Sequence, residues 1–212
     1  MALEGTHIRF ALDLKDNLQI KNLDKYLSGT IYPDSRYVTK IDRNITHFEN
    51  PLNKNFYKND DFKKGWVIHL LCDQIQTDVF GQTFATKFPP KNTLGSWVFK
   101  TSLKILQDIY DVKQFPIKKY LKHLDYIETI NGEDPKILKS YNQIFIDIYQ
   151  NDTLSIDNTI DMWTKLGIDE VTTLQIRKTI DQMNLDPTII QEIPLLYPKM
   201  VKEGLKSKYQ IL

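Results

Sequence analysis

Four histidines occur in this chain, and three of them, His7, His47 and His69, lie within its first 69 residues beside turn or helix-cap residues. His69 and Asp73 stand four apart in GWVIHLLCDQ. On a helix that spacing puts an imidazole and a carboxylate on one face about a turn apart, close enough to hold one metal ion. Val67, Ile68, Leu70 and Leu71 make the same segment apolar nearly all round and therefore buried. A buried aspartate keeps its charge only when it is paired, hydrogen-bonded or bound to metal. Taken alone, the pair reads more simply as two core side chains bonding each other. The remaining set shifts that balance: His7 at a helix start, Asp34 directly after Pro33, and His47 after Thr46. Neutral imidazole nitrogens and carboxylate oxygens scattered over helices and loops are the donors from which hydrolytic zinc sites are assembled.

The elements that must bring these residues together are helices. Glycine is scarce, with 8 residues, and apolar side chains recur at three and four rather than at two. The fold class expected is all-α, a multi-helix single domain over 1–212 with a long ordered loop carrying part of the metal site. Residues 1–95 form the half that builds the site, and 96–212 the half that packs it. A first helix starts near Thr6, a second covers Leu23 to Leu27 before Gly29 and Pro33 stop it, and a third spans about Asp61 to Phe80. Residues 31 to 60 between them read as an irregular but ordered loop, too long for a simple connection. Downstream, Phe99 to Tyr110 and Ile117 to Ile127 carry helical apolar stripes. Asp134-Pro135, Asp157, Asp169 and Asp186-Pro187 each mark a helix start, and Gly167 marks a helix end.

The run THIRFALDL, then YLSGTIYPDSRYVT, then ITHF, then GWVIHLLCDQ resembles the zinc-dependent phospholipase C family in its broad sense, which includes many bacterial proteins of uncharacterised function. The likeness covers roughly the first 80 residues and rests on the order of its four pieces. It implies that His47, His69 and Asp73 bind one metal and that Asp73 bridges to a second held with His7. Asp34 becomes a ligand or the base for the attacking water. The implied cofactor is one or two zinc ions, with manganese or magnesium as substitutes. Val79, six residues after Asp73, and Ile127, four after His123, stand where secreted members place ligands of a further metal. The amino-terminal tryptophan ligand of those members is missing too, so phospholipid cleavage is not implied.

The function expected is metal-dependent hydrolysis of a small phosphoester, with Asp34 and Arg36 as catalytic residues and Arg36 neutralising the phosphoryl oxygens. The alternative is a non-catalytic helical scaffold that keeps a structural metal site or a buried His/Asp network. With 28 basic and 27 acidic side chains, the chain lacks the positive excess that gathers a nucleic-acid backbone. The apolar window Trp66 to Cys72 is far short of the roughly 20 residues that span a bilayer, so no membrane anchor is expected. A single cysteine and a start without cationic leader or apolar core lead to the expectation of a cytoplasmic protein. No feature of the sequence specifies an oligomeric state. The adjacent His-Asp of HD-type phosphohydrolases is absent, since Ile8, Phe48, Leu70 and Leu124 follow the four histidines. Glu4 and His7 form an isolated Glu-x-x-His, read as coincidence at a frayed terminus. Cys72 and His123 are expected to lie outside the site.

Overall fold

A computed structural model describes residues 3–48, 54–151 and 153–206, and among them the regular structure is entirely helical. The long helices are α1 (Glu4–Leu14), α2 (Leu23–Ile31), α6 (Asp61–Thr83), α7 (Leu94–Lys113), α8 (Pro135–Tyr149), α9 (Ile156–Lys165), α10 (Glu170–Met183) and α11 (Pro187–Gly204). Between α2 and α6 lie a 3-10 turn at Tyr32–Ser35 and three short helices, α3 (Arg36–Thr39), α4 (Arg43–Thr46) and α5 (Lys54–Tyr57). No helix among the described residues is long and apolar enough to cross a membrane.

α6 is the central element. Its apolar residues leave no polar stripe along Phe62 to Cys72, and they are buried on every side. α2 runs against it in the most extensive helix pair of the molecule, with α1, α11 and α5 packed around the remaining faces. Two glycines permit that approach. A methyl group at Gly29 would sit 2.0 Å from the Phe62 carbonyl oxygen, and one at Gly65 would sit 2.0 Å from that of Tyr26. Gly29 therefore does not end α2, as its type suggests; the helix continues to Ile31, and glycine is there for contact. Pro33 stops it by opening the 3-10 turn, where its missing N–H costs nothing.

Three further expectations need correction. The stretch 31–60 is irregular only in part, being largely short helical turns where described, with residues 49–53 outside the described chain. Trp66 explains its order: the indole Nε1 donates to the Thr46 carbonyl at 2.7 Å, and Tyr32, Phe48 and Phe56 pack edge-on to the same ring system. The segment Ile117–Asp125 is a 3-10 run instead of an α-helix, entered from Pro116, with Leu121 and Leu124 buried three apart. α9 is capped by Ser155 instead of Asp157, because Ser155 and Asn158 close a reciprocal capping box. Asp134, Asp169 and Asp186 cap α8, α10 and α11 as their positions suggest, and Gly167 ends the α9 region at φ +91°.

Candidate metal centre

α1, the Tyr32–Ser35 turn, α4 and α6 each deliver one part of a buried polar cluster. His7, Asp34, His47, His69 and Asp73 meet there, with Arg36 alongside, its Nε 3.9 Å from Asp34 Oδ1. His123 lies elsewhere, 2.5 Å from Asp24 at the surface, and Cys72 is a buried thiol that burial pushes well above its ordinary pKa. His7 and His69 are fully buried, Asp34 is 3% exposed and Asp73 is 9% exposed. The frayed terminus expected around Glu4 is instead an ordered first turn of α1, where Glu4 is buried and accepts from the Tyr141 hydroxyl.

The donor atoms stand apart in a telling way. His47 Nε2 is 3.4 Å from His69 Nε2, 3.4 Å from Asp34 Oδ1 and 3.6 Å from Asp73 Oδ2. His69 Nε2 is 3.7 Å from Asp73 Oδ2 and 3.9 Å from Asp34 Oδ2, and His7 Nε2 is 3.6 Å from Asp73 Oδ1. These are too long for good hydrogen bonds, which lie at about 2.7–3.2 Å. They match the edges of a coordination polyhedron: four ligands at about 2.1 Å from a tetrahedral ion are about 3.4 Å apart. Both ring nitrogens of His7 and Oδ1 of Asp34 are buried without a hydrogen-bond partner. Three imidazoles and two carboxylates are a donor set suited to one or two divalent ions.

Hydrogen bonds behind the cluster aim the rings. His69 Nδ1 lies 2.8 Å from the Thr30 carbonyl, which can only accept, so Nδ1 carries the proton and the Nε2 lone pair faces inward. His47 Nδ1 lies 2.9 Å from the Thr46 hydroxyl, which itself can donate to the Arg43 carbonyl and so accept from the ring. The rings of His7 and His69 stack at 3.8 Å between centroids, 11° from parallel. His47, His69 and Asp73 make one candidate ion position, and His7, Asp34 and His69 make a second, with His69 common to both and Asp73 Oδ1 3.6 Å from His7 Nε2.

Electrostatics keep the ligands ready. Burial pushes the His7 imidazole down to about 3 against the pull of Asp73, and burial together with His7 holds His69 low, so both rings are neutral at pH 7. His47 is held above its ordinary range because Asp34 and Asp73 outweigh its burial. Both carboxyls stay ionised despite burial: His47 lowers Asp34, and His47 and Lys104 lower Asp73.

Sequence reasoning missed Thr30 and Lys104. Thr30 acts through its carbonyl, which any residue supplies, so its type carries no signal. Lys104 interrupts the buried side of α7 one residue after Leu103, and a lysine amid that stripe is the only trace it leaves. No family model, no curated protein and no solved structure matches this chain.

Proposed function

We propose that this chain is a metal-dependent phosphoester hydrolase of the kind suggested by its resemblance to the zinc-dependent phospholipase C family. The observation that carries the proposal is the set of donor separations between 3.4 and 3.9 Å among buried, ionised carboxylates and imidazoles. The preferred ion is zinc, given the imidazole-rich donors, with manganese and magnesium as substitutes. The ion's contribution is to lower the pKa of water toward about 7 and to polarise the phosphoryl group.

The chain's own residues do the rest. His69 and Asp73, from one rigid helix, fix the ion's position, and His47 completes it from the tethered α4. Asp34 Oδ1 receives the proton of the attacking water. Arg36, beside Asp34, neutralises the phosphoryl oxygens as the new P–O bond forms and the ester P–O bond breaks. The alcohol departs with the proton that Asp34 took up. Asp73 has the most accessible side chain of the five, at 12%.

The test is metal content of protein purified without chelator, beside turnover of chromogenic phosphate esters with zinc, manganese or magnesium added back. His69→Ala and Asp73→Ala are expected to lose both metal and activity. Asp34→Asn keeps an oxygen for the ion but cannot take a proton, so its activity falls further than its occupancy. Full activity in His69→Ala overturns the mechanism. A metal-loaded wild type that hydrolyses none of the esters makes the cluster a structural site, with the scaffold function that implies.

A further inference from the structure

Beside the candidate metal centre lies a second concavity of about 220 Å³, lined by Arg36, Arg43, Lys100 and Lys104 together with Trp97 and Trp163. Its lining, among the described residues, contains no carboxylate. One wall grows out of the site. Arg36 follows Asp34 by two residues, and Arg43 precedes His47 by one helical turn, its carbonyl accepting the His47 N–H. Thr77, on the rim, follows Asp73 by one turn of α6. Opposite them α7 contributes Trp97, Lys100 and Lys104 from one face, and α9 contributes Trp163.

Four cations around so small a space repel one another; Lys104 is offset in part by the charges of Asp73 and Asp34, whereas Arg43 and Lys100 have no carboxylate in salt-bridge contact among the described residues. Such a space lowers its free energy by taking up an anion. Trp97 and Trp163 meet edge to face at 5.9 Å between centroids and form an apolar wall. Trp163 is 3% exposed, and its indole Nε1 is buried without a hydrogen-bond partner.

We propose that this basic pocket is an anion subsite that selects phosphoesters bearing a second phosphate. The proposal rests on the hydrolase reading of the metal centre and deepens it. One phosphoryl group sits at the ions, the other lies among Arg36, Arg43, Lys100 and Lys104, and the carbon chain joining them passes the Arg36 guanidinium. A cationic head group of the choline type meets repulsion in the same place.

Two measurements test it, with propyl phosphate and propane-1,3-diol bisphosphate as substrates and released phosphate as readout. The metal-loaded wild type is expected to show a kcat/KM at least about tenfold higher for the bisphosphate, one good charge-assisted contact being worth that factor. The double variant Arg43→Ala/Lys100→Ala, both of whose side chains reach solvent, should lose this preference while turning over propyl phosphate as before. No preference in the wild type, or a preference that survives in the variant, overturns the proposal. The second measurement follows tryptophan fluorescence of the full chain freed of metal, titrated with inorganic diphosphate, inorganic phosphate or phosphocholine. Diphosphate is expected to bind most tightly, phosphocholine least, and the double variant to bind diphosphate about tenfold more weakly. If the metal-loaded wild type hydrolyses neither ester, the hydrolase reading fails and the fluorescence decides the pocket alone. Diphosphate binding that equals phosphocholine binding, or that the variant leaves unchanged, then overturns it.

Discussion

Thr6 and His7 are neighbours on α1, yet they face two buried polar clusters of opposite character. On the Thr6 side, Asp108 accepts from the Thr6 N–H at 2.6 Å, the Thr6 hydroxyl at 2.9 Å and the Tyr149 hydroxyl at 2.7 Å. Asp111 accepts from Arg9 and Gln107 at 3.3 Å and lies 3.2 Å from the Thr6 hydroxyl oxygen. On the His7 side the separations run from 3.4 to 3.9 Å, and several donor atoms have no hydrogen-bond partner at all. Both clusters are largely buried, the Thr6 side more completely. The first is closed on itself and ties α1 to α7 and α8, whereas the second has the spacing of ligands around something between them. Distance, more than residue type, separates a structural network from a candidate site.

The largest expected effect breaks this contrast directly. Asp73→Ala should abolish metal binding, so that chelator lowers the melting temperature of wild type but leaves the variant unmoved; loading at 100 times Kd contributes about 2.7 kcal/mol. Equal chelator responses would make the two clusters alike. Asp108→Ala should instead retain metal while costing about 3–5 kcal/mol in denaturant unfolding, since it orphans the Thr6 N–H and the Tyr149 hydroxyl. Gly29→Ala should cost about 1–3 kcal/mol by forcing α2 away from α6. Because Thr30 then no longer aims His69, metal affinity should fall about 10–100-fold as well.

A pH series sharpens the comparison, because the clusters titrate with opposite sign. His7, held at about 3, is neutral when folded, so its contribution is present above the unfolded value of about 6.5 and is lost as pH falls toward 3. Burial raises Asp108 to about 6, and burial with the nearby Asp108 charge raises Asp111 to about 7. In the folded state each keeps its proton up to that value, so their contribution is present below about 3.9 and is lost as pH rises toward 6 or 7. In metal-free protein the stability lost by Asp108→Asn should shrink between pH 4 and 7. The stability lost by His7→Gln should grow over the same range, each by at most about 1.4 kcal/mol per pH unit. Parallel slopes would contradict the assignment. The smallest effect is expected at Cys72→Ser and His123→Gln, which should leave metal content unchanged, as neither side chain is in the cluster.

Much of the helical frame is legible in the sequence because its signals are local. Asp169 and Asp186 cap the helices they precede, the apolar periodicity of α7 and α8 marks their buried faces, and the continuous apolar stretch of α6 marks a central helix. The failures are those of residue types with two meanings. Gly29 reads as a stop and serves as a contact, because its identity says only that a Cβ is absent. The stripe from Ile117 has three- and four-residue spacings that both α and 3-10 geometry accommodate, and the backbone entering from Pro116 chose the tighter one.

By itself the sequence determined that His69 and Asp73 share a buried face, since four-residue spacing on an apolar helix leaves no other arrangement. It also singled out His7, Asp34 and His47 as residues whose types suit the same ion. Only the tertiary structure decided that α1, the turn after α2 and α4 bring those three to within 4 Å of that pair. It alone stacked His7 on His69, and it alone set Arg43, Lys100 and Lys104 around one pocket. The physical reason is that spacing along a helix is fixed by hydrogen bonds within four residues, whereas convergence of distant segments depends on how whole helix faces pack. In this chain that packing turns on two glycines that let α2 touch α6.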